Sequence, residues 1–288
     1  MAEIESIRGG YVRLPIAGRQ HRIYFEEAGS GIPLLCLHTA GGDGRQYRGV
    51  LNNSEVTSRF RVVTFDLPWH GKSSPPEGWQ NEEYMLTPEA YIATILAMID
   101  ALDLGKPALI GCSIGGRVVL NLALHHPERF RALIGLETSA FTAPHYDTSW
   151  AHRPDVHGGE ACAALVSGAF GLDGPDHDRW ETLWHYMQSG PGIFRGDLHF
   201  YRSTDLRDEL HKIDTTRCPL YLLTGDYDYS ASPADTRYVA DRIKGAWFRE
   251  MVGLGHFPMS EDPERFVRDY LLPVLDKILE GERVPAAT

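Results

Sequence analysis

The chain has 288 residues, 43% of them hydrophobic and 23% charged, which is the composition of an ordinary globular protein. At this length one large α/β domain, or one domain with an insertion, is expected over two equal domains. Its 28 Lys and Arg stand against 39 Asp and Glu, a formal net charge of −11, so the basic footprint that nucleic acid or an anionic membrane demands is missing.

No apolar run approaches the roughly 20 residues that cross a bilayer. Met1-Ala2-Glu3-Ile4-Glu5 lacks the basic-then-apolar profile of a signal peptide, and a cytoplasmic protein is expected. The first elements read as a hairpin, Tyr11 to Ile16 and His21 to Glu27, turned by Ala17-Gly18. Pro33 to His38 is short, continuous and apolar, as a strand covered on both faces should be. The same pattern returns at Arg61 to Asp66, Pro107 to Cys112, Ala132 to Glu137 and Pro219 to Thr224. Thr87-Pro88-Glu89 has the cap, the proline and the early acid that open a helix, which runs to about Leu102 and stops near Gly105.

Strands alternating with helices predict a mostly parallel sheet with helices on both faces. The rhythm breaks after Glu137. Residues 139–215 carry no buried-strand run and predict two to four helices, a helical cap inserted into a core formed by residues 1–138 and 216–288. Within it, Tyr201 to Ile213 is expected to return the chain to the sheet. Cys36, Cys112, Cys162 and Cys218 form neither a C-x-x-C pair nor a Cys/His metal spacing, so no zinc site is expected. Cys36, Cys112 and Cys218 lie in or beside apolar runs and are expected to be buried and reduced.

The chemistry concentrates at Gly111-Cys112-Ser113-Ile114-Gly115-Gly116, a G-x-S-x-G between an apolar strand and a helix-like run. So tight a turn strains its serine and needs glycine neighbours, and it presents the hydroxyl beside a helix N-terminus. A serine nucleophile needs a base. His256 fits, in the glycine-flanked loop Gly253-Leu254-Gly255-His256-Phe257-Pro258 after the strand-like Ala246 to Met251, at the carboxyl edge where open α/β sheets place their sites. His38 ends a strand at that edge, but a hydrogen-bonding role within its own loop suits it better. An orienting carboxylate comes from Asp228, in Thr224-Gly225-Asp226-Tyr227-Asp228, which satisfies the order serine, acid, histidine. Glu137, at the end of the strand after the nucleophile helix, is the alternative acid. His38-Thr39-Ala40-Gly41-Gly42-Asp43-Gly44 is a glycine-rich loop whose Ala40 amide can pair with that of Ile114 around an oxyanion. Neither phosphate-loop pattern occurs there.

These residues, with Asp66-Leu67-Pro68-Trp69-His70-Gly71-Lys72-Ser73-Ser74, make the chain resemble the α/β-hydrolase superfamily over nearly its whole length. One departure is Thr39 where the usual pair reads His-Gly. Another is Glu137, which sits where the zearalenone-lactonase type of this fold carries its acid. The resemblance implies acyl transfer to water through Ser113, His256 and Asp228, with no metal and no organic cofactor. The substrate is then an ester or lactone, and the aromatics of the cap favour an apolar or aromatic small molecule. The runner-up is hydrolysis of a C–C bond in dienones or diketones, and a non-catalytic ligand receptor is a third reading. Phe141, Tyr146, Trp150, Phe170, Trp180, Trp184, Tyr186, Phe194, Phe200 and Tyr201 would line or pack the cap. Trp150, Trp184, Tyr186 and Phe257 are the expected substrate contacts, and a homodimer is left open.

Overall fold

The computed structural model describes residues 2, 4–143, 148–151 and 158–283, with the side chains of Trp150, Glu282 and Arg283 left out. Eight strands form one sheet: β1 Arg8–Ile16, β2 Arg19–Ala28, β3 Ile32–Leu37, β4 Phe60–Phe65, β5 Ala108–Cys112, β6 Ala132–Leu136, β7 Leu220–Gly225 and β8 Trp247–Met251. Their order is β1-β2-β4-β3-β5-β6-β7-β8. β1 and β2 are antiparallel, β2 and β4 likewise, and every later pair is parallel. In the hairpin turn Ala17 and Gly18 take φ of 48° and 80°, the doubly left-handed geometry that matches strand twist.

The parallel strands are continuous apolar runs because both faces are covered. Leu35, Leu109, Leu133 and Leu222 point to one side, where α1 (Pro88–Ala101) and α2 (Ile114–His125) pack through Ile95 and Val118. Their neighbours Cys36, Ile110, Ile134 and Leu223 point to the other, against Phe266, Val274 and Leu275 of the C-terminal helical run. Thr87 caps α1 through Oγ1, which accepts from the Ala90 amide at 3.2 Å. All four cysteines are buried and free. Among the described residues no helix is long and apolar enough to cross a membrane.

Among the described residues between β6 and β7 are three α-helices, α3 Gly158–Val166, α4 Asp176–Met187 and α5 Ile193–Arg202. The stretch from Tyr201 to Ile213 is mostly not helical. α5 ends at Arg202, and only the single turn Leu210–Lys212 follows. The hydroxyls of Ser203 and Thr204 donate to the last carbonyls of α5, Ser203 to His199 and Thr204 to Phe200, and compete with continuation of the helix.

α2 runs so close to β6 that a side chain at Gly116 has no room. A Cβ there would run into the Leu136 carbonyl oxygen and stand 2.7 Å from Thr138 Oγ1. Gly116→Ala is therefore expected to cost about 3 kcal/mol, a fall in melting temperature of roughly 6–12 °C read by circular dichroism.

Candidate active site

Ser113 stands between β5 and α2 with φ 62° and ψ −112°, a conformation that L side chains avoid and that surrounding contacts must enforce. Its amide donates to the Leu136 carbonyl at 3.0 Å, and its own carbonyl takes the Arg117 amide at 2.9 Å. Ile114 is the first residue of α2, so its N–H has no acceptor within the helix.

His256 arrives on the loop after β8, its backbone N–H donating to Ala169 O at 2.8 Å. Nδ1 lies 2.7 Å from Asp228 Oδ2 and Nε2 lies 2.9 Å from Ser113 Oγ. With Asp228 ionised, the ring proton belongs on Nδ1, which leaves Nε2 to accept the serine hydroxyl. Tyr201 OH is also 2.9 Å from Ser113 Oγ. Since the serine proton points to His256, the tyrosine hydroxyl donates to Oγ. Burial pulls His256 down, but the charge and hydrogen bond of Asp228 outweigh it and hold the imidazole above its ordinary value. Burial pushes Asp228 up, and His256 with the Ser230 amide returns it below the usual carboxylate range.

The two rival acids are neighbours. Glu137 is 0% exposed, sits at φ 51°, and takes the Gly225 N–H at 3.1 Å through Oε1 and 3.2 Å through Oε2. It also shares a hydrogen bond with Asp228. Burial, then the adjacent Asp228 charge, drives its pKa well above the ordinary value, so Glu137 carries the proton and donates to Asp228. The bond to histidine goes to Asp228, and Glu137 backs it. Asp226 is exposed and accepts from the Gly253 amide at 2.8 Å.

Ala40 is buried beside Ser113 and His256. His38 is bound within its surroundings, Nδ1 to Thr39 O at 2.8 Å while Nε2 accepts from Leu67 N at 3.1 Å. Burial lowers it to about 4, which keeps it neutral. Thr39 spends its hydroxyl on Gln46 and on Tyr186 OH. Two features have no sequence pattern: the Tyr201 hydroxyl at the nucleophile, and Glu261. Glu261 is buried, accepts from the Gly171 amide at 3.2 Å and from the Gly255 amide, and is pushed up to about 7 by burial.

Ser113, His256 and Ala40 open into a cavity of about 330 Å³ walled by Leu165, Val166, Ala169, Tyr186, Phe194, Leu198, Tyr201 and Phe257. Tyr186 and Phe257 thus face it. Trp184 does not: it is 57% exposed and lies outside the cavity lining. Two helical residues differ by about 200° in direction, so the turn of α4 that buries Tyr186 sends Trp184 to solvent. Trp180 is on the exposed side as well. The Trp150 side chain and Tyr146 lie outside the described residues. Among the described residues no group of three or more His, Cys, Asp or Glu converges as a metal site.

Nitrogen-detected titration of His256 should give a midpoint above the ~6.5 of a free imidazole. Asp228→Asn leaves burial in command and should drop the midpoint below that value, whereas Glu137→Gln, which keeps a donor to Asp228, should leave it raised.

A family model described as alpha/beta hydrolase fold matches residues 32–156. A protein of Mycobacterium phage D29 that carries a non-heme haloperoxidase name is 30% identical over 276 residues, covering 88% of this chain and 92% of that one. The zearalenone hydrolase of Bionectria ochroleuca is 29% identical over 111 residues, 38% of this chain and 40% of that protein. The chain spans under half the length of several curated relatives it matches. A thermophilic esterase from Thermogutta terrifontis superposes with a TM-score of 0.80 at 22% identity, over 93% of this chain and 99% of that one, a likeness of fold. With the strained serine between β5 and α2, the sheet order and these matches together, the chain belongs to the alpha/beta hydrolase fold family.

Proposed function

We propose that this protein is a serine hydrolase that cleaves a carboxylic ester or lactone of an apolar small molecule through an acyl-enzyme on Ser113. The observation that carries the reading is the unbroken line from Asp228 through His256 to Ser113 Oγ, ending in an apolar cavity. Ser113 Oγ attacks the carbonyl carbon while His256 Nε2 takes its proton. Asp228 holds the imidazolium, and the Ala40 and Ile114 amides face the oxyanion. His256 then protonates the leaving oxygen, and water attacks the acyl-enzyme by the same route in reverse. Every proton moved has a donor and an acceptor among these side chains, so the chemistry calls for no metal or organic cofactor.

The cavity lies at the small end of the range for ligand pockets, and its aliphatic and aromatic walls favour an apolar acyl or alcohol portion over a sugar or phosphate. The zearalenone hydrolase match supports a lactone within that class. A cavity this size holds a short chain better than a long one.

The test is turnover of p-nitrophenyl esters from acetate to decanoate. A short-chain optimum is expected, with an acid limb above the ~6.5 of free imidazole because protonated His256 cannot accept the serine proton. Ser113→Ala should lose about 10⁶-fold in kcat and Asp228→Asn about 10⁴-fold. No ester turnover from folded wild type, with turnover of a diketone, would replace ester hydrolysis by C–C bond hydrolysis.

A further inference from the structure

The helical insertion grips the loop that carries Ala40 on both sides of that residue. Before it, the Thr39 hydroxyl is bound to Tyr186 OH of α4. After it, the Gly41 N–H donates to Asp197 Oδ2 of α5 at 2.7 Å. Phe194, also of α5, packs so closely that a Cβ on Gly41 would stand 2.6 Å from its Cδ2.

Asp197 is 0% exposed and fully engaged. The oxygen that takes Gly41 also takes His70 Nε2 at 2.8 Å, while Oδ1 accepts from Tyr84 OH at 2.7 Å. His70 Nδ1 lies 3.0 Å from Pro68 O; burial lowers the His70 pKa, but the charge and hydrogen bond of Asp197 outweigh it and hold the ring above its ordinary value. A buried carboxylate with three donors is fixed in place, because leaving any of them unpaired is costly.

Residues Thr39 to Gly42 form a turn closed by the Gly42 N–H on Thr39 O at 3.1 Å, with Gly41 at φ 68°. A positive φ at the third residue marks the type II form, and a flip of the central peptide converts it to type I. The N–H of that central peptide is the one held by Asp197. A flip would aim the Ala40 carbonyl at the carboxylate, which repels it. The planar Thr39–Ala40 peptide is held in turn through Thr39 O, on which His38 Nδ1 also lies.

We infer that Asp197 is a positioning residue of the active site, which through Gly41 locks the turn that aims the Ala40 amide at the oxyanion. The inference rests on the serine-hydrolase reading above and adds to it that the insertion fastens the loop carrying one of the two oxyanion amides. The Tyr186–Thr39 bond is the second fastening on the same turn.

A fluorophosphonate probe tests this without knowledge of the substrate. Ser113 Oγ bonds to phosphorus, fluoride leaves and His256 takes the proton, while the phosphoryl oxygen uses the same amides. Intact mass follows labelling of the full chain as kinact and KI. Labelled wild type with an unlabelled Ser113→Ala establishes the serine reading, and an unlabelled folded wild type overturns that reading. Given labelling, Asp197→Ala should lower kinact about 100-fold with KI nearly unchanged, the size of a lost oxyanion donor. Asp197→Asn retains an acceptor for Gly41 and should recover most of the loss. Tyr84→Phe, which removes one of the three donors to Asp197 but leaves the Gly41 bond, should lose less than Asp197→Ala. Should Asp197→Ala not fold, Tyr186→Phe takes its place and should lower kinact about tenfold. The inference falls if the folded Asp197→Ala keeps kinact within about threefold, if the loss appears in KI, or if Tyr84→Phe loses as much.

Discussion

The structure turns on one local constraint, the left-handed Ser113 between β5 and α2. An L-residue pays on the order of 1–3 kcal/mol for such a conformation, so the strain persists only because the surroundings leave no alternative. Here they consist of the Leu136 carbonyl on the serine amide, the first hydrogen bond of α2, and glycines that let the helix lie against two strands. The hydroxyl then clears the sheet edge while the free amide of Ile114 lies beside it. A second left-handed residue, Glu137, ends the next strand, so two adjacent crossings each present a functional side chain at the same edge.

The buried charges around this edge form a set of partnered groups. Asp228 is held ionised by His256, Glu137 is held neutral by Asp228, and Glu261 titrates near neutrality on backbone amides. Their effects on stability have opposite signs. Raised carboxyls such as Glu261 bind a proton more tightly when folded, so they weaken the fold as pH rises from the ordinary carboxylate range to about 7. His256 and His70, both raised, contribute stability that is full below the free imidazole value and is lost as pH rises through their folded values. Asp228, lowered, contributes stability above the ordinary carboxylate value, which is lost as pH falls through its folded value. The site therefore favours the mildly acidic side of neutrality.

Much of this was legible in the chain. β3 to β7 announce themselves as continuous apolar runs because both faces are covered, and the serine turn needs glycines at fixed offsets. The acid posed a different problem. Asp228 and Glu137 both end strands at the right edge, and only their contact in space shows that one holds the histidine and the other holds the first. In the insertion, no composition rule separates Tyr186, turned inward, from Trp184, two residues earlier and turned to water. The Tyr201 hydroxyl and the Asp197 clamp depend on long-range packing, with partners 88 and 156 residues away, which no local pattern encodes.

The His256 amide donates to Ala169, and Glu261 joins the amides of Gly171 and Gly255. The His256 loop and the insertion therefore share one fabric. Lifting the insertion would break the bond of the His256 amide to Ala169 and that of the Gly171 amide to Glu261. Under the proposed function, an insertion that stays in place makes the width of the cavity opening a filter on substrates as well as its chemistry.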